Sequence, residues 1–324
     1  MVSIIIPNYN RANYLRDTLQ SILNQTSDSW EALVVDDGST DNSKQVVDEF
    51  HNQNSKIIWI DRIHHLKGAS VCRNIGVEHA KGNFVIFLDS DDLLAPNCIA
   101  QRLKIMESHP NLDFTVFQMQ FFKEHPGDDS RIWNLDTGED VLQRFLNLDA
   151  VWQTTGPIWK IDALKAIGLF EPKLQCWQDI DLHLKALTFP LTFKLFYDLP
   201  IDCWYRKDSA HSISQSNTNS LVKLESKRIL LEWVKAQPKL ETYDHLVMVI
   251  HVLVSGIQGM QFNFFMNFYN QIKSVLPKKI KCNIILMALI RFSRSIKLKF
   301  MQSKYNQLKM SVVSNNSAIG KYHV

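Results

Sequence analysis

The chain has 324 residues, of which 45% are hydrophobic and 21% are charged, and its formal net charge is +3. This composition is typical of a folded protein with one large domain or two smaller ones. Its five scattered cysteines include no Cys-x-x-Cys pair, which argues against a zinc site and against a disulfide framework. The same cysteine usage favours a reducing compartment.

Short apolar runs alternate with helical patterns along the first 110 residues. The predicted strands are Val2–Ile6, Ala32–Val35, Ile57–Ile60 and Phe84–Leu88. We expect Pro7 to end the first strand and Asn13 to cap the helix that follows. Further helices are predicted over 41–53 and 70–80. Strands that alternate with helices of this length predict parallel βαβ units.

The pattern becomes less regular from Phe114 onward. Residues 114–122 predict a strand or one arm of a hairpin, and 161–167 and 179–187 predict short helices. Strands are expected at 193–195 and 201–205, and helical character continues from 219 to about 309. The predicted class is α/β, with a mostly parallel twisted sheet flanked by helices and a helical C-terminal extension. Because strand-like sequence begins at Val2, we expect no signal peptide and a cytoplasmic protein.

Charge is unevenly distributed, since the last 80 residues carry 11 Lys and Arg but no Asp or Glu. The apolar residues of one predicted helix there share a single stripe: Ile285, Leu289, Phe292, Ile296 and Phe300. Arg291, Arg294 and Lys297 fall on its opposite side. A basic amphipathic helix predicts peripheral binding to an anionic membrane, here the inner face of the cell membrane. A helical cap or a homodimer surface is the alternative, and no nucleic acid is expected because no recognised binding module accompanies the charge.

Asp89-Ser90-Asp91-Asp92 follows directly after the apolar run 84–88. Three carboxylates at the carboxyl end of a buried strand repel one another, and a divalent cation relieves that repulsion. Hard oxygen ligands favour Mg²⁺ or Mn²⁺, which commonly also bind a phosphate group. The alternative is a solvated acidic turn that caps the next helix.

Polar residues follow the other predicted strands at the same sheet edge, where ligands of open α/β sheets bind. Tyr9 offers a flat face to a base and Arg11 a charge to phosphate, while Asp37 can accept hydrogen bonds from a uracil or a ribose. Lys67 and Arg73 are predicted to face the same cleft. A Rossmann dehydrogenase and a P-loop nucleoside triphosphatase are excluded, because neither glycine-rich loop is present.

Several motifs together resemble the opening of the family 2 glycosyltransferases. They lie at 2–11 (VSIIIPNYNR), 21–26 (SILNQT), 34–41 (VVDDGSTD), 69–76 (ASVCRNIG) and 87–92 (FLDSDD). The match covers about residues 1–110 firmly and 150–215 more loosely. The resemblance implies a GT-A fold and an inverting transfer from a nucleotide-diphosphate sugar, for which UDP is the expected nucleotide.

The resemblance also implies where the donor and a Mn²⁺ or Mg²⁺ ion would bind. The residues predicted to bind the donor are Pro7, Tyr9, Arg11, Asp37, Lys67, Arg73, Asp89 and Ser90. The residues predicted to bind the metal are Asp91, Asp92 and His211. His211 is included because a His after the last strand often lies near the metal in related enzymes, although a plain surface position is the alternative. Arg206, close by, either pairs with phosphate or is solvated.

The general base of this family usually lies in a Glu-Asp pair that opens a helix. The matching pair here is Gln178-Asp179, so Asp179 is the predicted base and the customary Glu is missing. The alternative is that Asp179 merely favours a helix N-terminus. Trp152, Trp159 and Trp177 lie near the expected acceptor region, either as sugar-stacking faces or as core or pocket wall.

These observations predict an inverting, metal-dependent glycosyltransferase that extends a cell-surface glycan or a lipid-linked acceptor. Its catalytic domain is expected over 1–215, with a nucleotide-sugar part at 1–110 and an acceptor part at 111–215. A basic helical region is expected over 216–324. A sugar nucleotidyltransferase, or a non-catalytic nucleotide-sugar-binding protein attached to the membrane, remains the alternative.

Overall fold

The computed structural model describes residues 1–207, 220–240, 248–254, 262–273, 281–285, 288 and 307. Packing divides the chain into two compact units. The first contains Met1–Glu139 and Ala150–Ser212, and the second contains Asp140–Asp149 and Ile213–Val324. The sequence did not predict that Asp140–Asp149 belongs with the second unit, and the predicted boundary near 215 stays a prediction.

The described strands and helices are as follows in chain order. The strands are β1 Val2–Asn8, β2 Trp30–Asp36, β3 Ile57–Asp61, β4 Phe84–Phe87, β5 Leu93–Leu94, β6 Phe114–Phe117, β7 Met119–Phe122, β8 Pro157–Lys160, β9 Phe193–Phe196 and β10 Cys203–Arg206. The helices are α1 Ala12–Leu23, α2 Ser43–Gln53, α3 Ala69–His79, α4 Cys98–Ser108, α5 Val141–Leu146, α6 Ile161–Ala166, α7 Gln178–Thr188, α8 Ser220–Lys235 and α9 Phe262–Ile272.

The first unit is built on a seven-stranded sheet with the order β3-β2-β1-β4-β8-β6-β9. Strands β3, β2, β1 and β4 are parallel, and β8 is antiparallel to both of its neighbours. In a smaller sheet, β10 lies between β5 and β7. Helix α3 packs on β1 and β2, where a Cβ on Gly76 would clash with the Ile5 side chain. The predicted α/β class with a mostly parallel sheet is therefore confirmed.

The register of the parallel strands brings their carboxyl ends to one edge. Asn8 of β1 is paired with Asp36 of β2, and Asp36 is paired with Asp61 of β3. On the other side of β1, Ile5 is paired with Phe87, the last residue of β4. The loops that follow these strands therefore begin side by side.

Pro7 does not end the first strand, because β1 continues to Asn8. The carbonyl of Ile5 faces β4 and accepts a hydrogen bond from Leu88 at 3.0 Å. Two residues further along, Pro7 faces the same side, and β4 has already ended there. The N–H that Pro7 lacks would therefore point beyond the paired residues of β4, which end at Phe87.

The apolar run over 114–122 divides into two strands that belong to different sheets. Strand β6 pairs with β8 and β9, whereas β7 pairs with β10. Trp152 and Trp159 are fully buried, and Trp159 stacks on Phe114 with ring centroids 4.1 Å apart. Neither tryptophan can therefore stack on an acceptor sugar.

The second unit is helical in its described parts. Helices α5, α8 and α9 belong to it, and residues 248–254 and 281–285 are also helical. Apolar side chains of this unit are buried, including Leu230, Val252 and Phe265. No helix among the described residues has the length and apolar character needed to cross a bilayer. His211 and residues 289–300 of the predicted basic helix lie outside the described residues.

Candidate functional site

The loop after β2 is organised by the first of its two aspartates. The carboxylate of Asp36 accepts hydrogen bonds from the side chain of Asn8 at 2.8 Å and from the backbone of Gly38 and Ser39 at 2.9 and 2.7 Å. Asp36 is buried, and it fixes the turn that directs the next residue outward. This arrangement makes Asp37 the carboxylate of the pair that is available at the sheet edge.

Asp37 is held by two residues from the loop after β3. Arg62 Nε lies 2.5 Å from Asp37 Oδ1, and the Gly68 N–H donates to Oδ2 at 2.9 Å. Gly68 adopts a φ of 117°, which a residue with a side chain rarely adopts. The sequence analysis missed Arg62, although its position directly after β3 at the same edge was the available signal.

The loop after β1 presents an aromatic and a basic side chain. Tyr9 is 57% exposed, a large fraction for a tyrosine at a sheet edge. Asn10 has a φ of 52°, and its side-chain oxygen accepts a hydrogen bond from the Thr40 N–H at 2.7 Å. Arg11 Nε lies 3.9 Å from Asp91 Oδ2. The β1 loop is therefore tied to the β2 loop and carries a cation to the acidic loop after β4.

Two partly exposed carboxylates of the acidic loop, Asp89 and Asp91, differ in their partners. Asp89 Oδ1 accepts from Arg73 Nη2 at 2.5 Å. Among the described residues, the ion pair of Asp91 is the longer contact with Arg11, and desolvation, together with the charge of Asp89, raises its pKa to about 6. The negative charge of Asp91 is therefore poorly compensated by the protein.

Asp92 is fully buried and holds β10 in place. Its Oδ1 accepts a hydrogen bond from the Arg206 N–H at 2.9 Å, and no described residue bonds to Oδ2. Burial and the neighbouring carboxylates raise its pKa well above the ordinary value. The predicted metal-binding role does not fit this geometry, because the side chain has no exposed surface.

Arg206 is also buried, whereas the sequence predicted that it either pairs with phosphate or is solvated. Its Nε donates to the Asp91 carbonyl at 2.9 Å and its Nη2 to Asp17 at 3.0 Å. The guanidinium therefore fixes the backbone of the acidic loop and has no free face for phosphate. Ser90 is 6% exposed, and Pro7 is buried within the sheet. Lys67 is exposed. The roles in donor binding that the sequence predicts for Pro7, Lys67 and Ser90 stay predictions.

The donor set at the acidic loop fits a hard divalent cation. Asp91 supplies a partly exposed oxygen ligand whose charge lacks a close partner, and Asp89 lies near enough to raise its pKa. No group of three His, Cys, Asp or Glu among the described residues is arranged to hold a metal by itself. Mg²⁺ is often held by one or two carboxylates with the remaining ligands from substrate phosphates and water, and such a site needs no third residue.

Asp179 lies in the first turn of α7, a helix that begins directly after Trp177, whose φ is 56°. Its Oδ1 accepts the Ile180 N–H at 2.9 Å, and no described residue donates to Oδ2. Desolvation raises the pKa of Asp179, and the nearby Arg73 charge opposes that rise. Asp181, by contrast, is bonded to Lys185 at 2.8 Å and is buried. Of these two aspartates, Asp179 is therefore the more accessible, and among the described residues no lysine or arginine is bonded to its carboxylate.

Arg73 joins the two halves of the site. Besides its bond to Asp89, its Nη1 donates to Gln178 Oε1 at 2.8 Å. The structure thus links Gln178, which precedes the predicted base Asp179, to the acidic loop through one guanidinium. The carboxyl ends of β1, β2 and β4 and the N-terminus of α7 together form a polar, partly desolvated site in which carboxylates and arginines alternate.

Solved structures of the same fold support the GT-A class. The crystal structure of S. aureus TarS residues 1–349 in complex with UDP-GlcNAc is similar over 97% of this chain and 90% of that chain, with a TM-score of 0.63 and 18% identity. The mannosyltransferase PcManGT from Pyrobaculum calidifontis, in complex with GDP-Man and Mn²⁺, gives a TM-score of 0.54 at 13% identity over 97% of this chain and 86% of that one. At these identities the similarity establishes the fold.

Residues 3–157 match the family described as glycosyl transferase family 2. Together with the fold and with its relatives, this match, which covers just under half of the chain, supports a family 2 glycosyltransferase.

The relatives include the minor teichoic acid biosynthesis protein GgaA of Bacillus subtilis, which is 29% identical over 55% of this chain and 41% of its own length. The UDP-Glc:alpha-D-GlcNAc-diphosphoundecaprenol beta-1,3-glucosyltransferase WfgD of Escherichia coli is 38% identical over 33% of this chain and 41% of its own length. The chain therefore spans less than half the length of these two relatives.

Proposed function

We propose that this protein is an inverting, metal-dependent glycosyltransferase that moves a sugar from a nucleotide-diphosphate donor to a hydroxyl of a glycan or lipid-linked acceptor. The observation that carries the proposal is that Arg73 bonds both to Asp89 of the acidic loop and to Gln178, the neighbour of Asp179 in the first turn of α7. The printed names of GgaA and WfgD support cell-surface polysaccharide synthesis, and those of TarS and WfgD support UDP as the nucleotide.

The donor would bind across the loops after β1, β2 and β4. The exposed ring of Tyr9 suits stacking on a base, and Asp37, held by Arg62, suits hydrogen bonding to the base or the ribose. Asp91 would hold a Mn²⁺ or Mg²⁺ ion together with diphosphate oxygens, with His211 kept as a proposed further ligand. When bound, such an ion acts as a Lewis acid that stabilises the charge of the departing diphosphate.

Asp179 would act as the general base. Its carboxylate would take the proton of the acceptor hydroxyl as that oxygen attacks the anomeric carbon, while the bond from the sugar to the phosphate breaks. A pKa above the ordinary range makes a carboxylate a stronger base, provided that it is still ionised at the working pH. Attack from the face opposite the leaving diphosphate would invert the anomeric configuration.

The test is a transfer assay with a panel of UDP-sugars and Mn²⁺ that measures released nucleoside diphosphate. We expect Asp179→Asn to lower turnover by a factor of about 10²–10⁴ while UDP binding, measured by calorimetry, is unchanged. The matched control is Asp198→Asn, because Asp198 is an exposed aspartate of the same unit. Full turnover by Asp179→Asn would assign the base elsewhere. Release of pyrophosphate would indicate a nucleotidyltransferase, and UDP binding without any turnover would indicate a non-catalytic binding protein.

We further propose that the basic region over 216–324 docks on an anionic membrane surface. The proposal rests on its excess of Lys and Arg and on the amphipathic pattern from 285 to 300. A lipid-linked acceptor would then reach the enzyme at the surface where the enzyme is held. A homodimer built on the same region is the competing outcome, and the molar mass measured by light scattering distinguishes it.

A further inference from the structure

One buried arginine bonds to both sides of the proposed site. Arg73 is 5% exposed, and its guanidinium lies 5.2 Å from the centroid of the Phe170 ring. Its Nη2 donates to Asp89 at 2.5 Å and its Nη1 to Gln178 at 2.8 Å. Arg73 is therefore held in a single orientation between the acidic loop and the first residue of α7.

The side chain of Gln178 is itself fixed at both ends. Its Nε2 donates to the Leu174 carbonyl at 3.0 Å, which leaves Oε1 to accept from the guanidinium. The reverse orientation of the amide would set an N–H group against a guanidinium N–H group, and both are donors. Gln178 thus ties the start of α7 to Arg73 and to the loop that precedes the helix.

We propose that Gln178 is a positioning residue that, through Arg73, fixes the first turn of α7 and its base Asp179 relative to Asp89. The inference rests on the proposed function, since it assigns Asp179 to the acceptor hydroxyl and Asp89 to the donor side. Because Gln178 is neutral, Asp89 is the carboxylate that balances the charge of Arg73. Gln178 in this chain therefore acts through hydrogen-bond geometry without adding a charge beside Asp179.

The kinetic test compares two substitutions of Gln178 with a matched control. Gln178→Met keeps the length of the side chain but removes the acceptor, and Gln178→Glu keeps an acceptor for Arg73. Gln175→Met is the control, because Gln175 is exposed on the same loop. We expect Gln178→Met to lower kcat about tenfold, with the acceptor KM and UDP affinity changed less than about twofold. Gln178→Glu should recover most of kcat, and Gln175→Met should match the unsubstituted protein.

Equal kcat for Gln178→Met and the unsubstituted protein would overturn the inference. A Gln178→Glu protein as impaired as Gln178→Met would also overturn it, because a retained acceptor would then be irrelevant. A structural role alone would lower the folded fraction, and it would not separate kcat from KM once activity is normalised to folded protein.

A second measurement keeps the inference distinct from the proposed function, because it needs no substrate. Hydrogen exchange of the ligand-free protein should become faster in Gln178→Met both at 178–182 and at 88–92, since Arg73 links these segments. Faster exchange at 178–182 alone, or no change, would refute the link. Absence of transfer by the unsubstituted protein would refute the proposed function, and the exchange data would still decide whether Gln178 holds the two segments together.

Discussion

Asp91 carries a charge that the protein without metal does not accommodate well. Its side chain is 25% exposed, its closest basic partner is Arg11 at 3.9 Å, and Asp89 lies nearby. Desolvation and that neighbouring carboxylate raise its pKa from 3.8 to about 6. Replacing Asp91 by Asn removes the charge and keeps the shape of the side chain. We therefore expect Asp91→Asn to stabilise the metal-free protein and to abolish its metal-dependent nucleotide binding.

The size of the stabilisation by Asp91→Asn, and its pH dependence, follow from the shift in the pKa of Asp91. A rise from 3.8 to about 6 corresponds to about 3 kcal/mol, at 1.36 kcal/mol for each pH unit. Because the folded state favours the protonated form, this cost is absent below pH 3.8, grows as pH rises, and is complete above about pH 6. The stabilisation by Asp91→Asn should therefore be about 3 kcal/mol at pH 7.5 and close to zero at pH 4.

The assay is urea denaturation in EDTA at both pH values, with Asp198→Asn as the control for an exposed aspartate. Calorimetry with UDP, with and without Mn²⁺, then measures the functional loss in the same protein. A destabilised Asp91→Asn protein, or a gain in stability that is equal at pH 4 and pH 7.5, would refute the electrostatic reasoning. If Asp91→Asn left Mn²⁺-dependent UDP binding unchanged, Asp91 would not be a ligand of the proposed metal site.

The remaining predictions concern the buried ion pair of the first unit and the basic region. Arg102 donates to Asp202 at 2.8 and 2.6 Å, and both side chains are fully buried. Arg102→Met should therefore lower the free energy of unfolding by about 3–5 kcal/mol, measured by urea denaturation, because it leaves a buried charge unpaired. The full chain should sediment with vesicles that contain anionic lipid, and this binding should weaken as salt rises from about 0.05 to 0.5 M.

Matched controls make both outcomes decisive. Arg131→Met also removes an arginine that pairs with an aspartate, but the Arg131 side chain is 51% exposed, so the unfolding midpoint should move much less. If Arg102→Met and Arg131→Met had the same effect, burial of the pair would not be the cause. Neutral vesicles are the control for sedimentation, and binding that ignores both salt and lipid charge would contradict a membrane role for the basic region.

The predictions from sequence were most successful where local pattern and tertiary environment agree. The runs at 2–6, 32–35, 57–60 and 84–88 lack alternation because the sheet is covered on both faces, and each became a parallel strand. The ends of these elements differ by at most two residues from the prediction. Helix α1 begins at Ala12, whose N–H donates to Asp41 Oδ2 at 2.9 Å, so the predicted cap at Asn13 was wrong. A cap from a residue 29 positions away leaves no local pattern.

The less regular half of the first unit was harder to predict because its pairing is non-local. The run over 114–122 reads as one strand, but its two halves pair with β8 and β9 in one sheet and with β10 in the other. Strand β8, which was not predicted, lies antiparallel between β4 and β6. Only four residues long, it has too short a pattern to distinguish a strand from a buried turn.

The acidic loop shows why a motif identifies a site before it identifies the role of each residue. Asp91 and Asp92 are adjacent and identical in chemistry, yet one is partly exposed and the other is fully buried. The difference is set by Arg206, 114 residues away, whose N–H bonds to the Asp92 carboxylate and whose guanidinium bonds to the Asp91 carbonyl. Docking of β10 turns Asp92 inward and, by alternation along the chain, leaves Asp91 at the sheet edge. The charge available to a cation is therefore selected by a distant strand, which a spacing pattern within residues 89–92 cannot reveal.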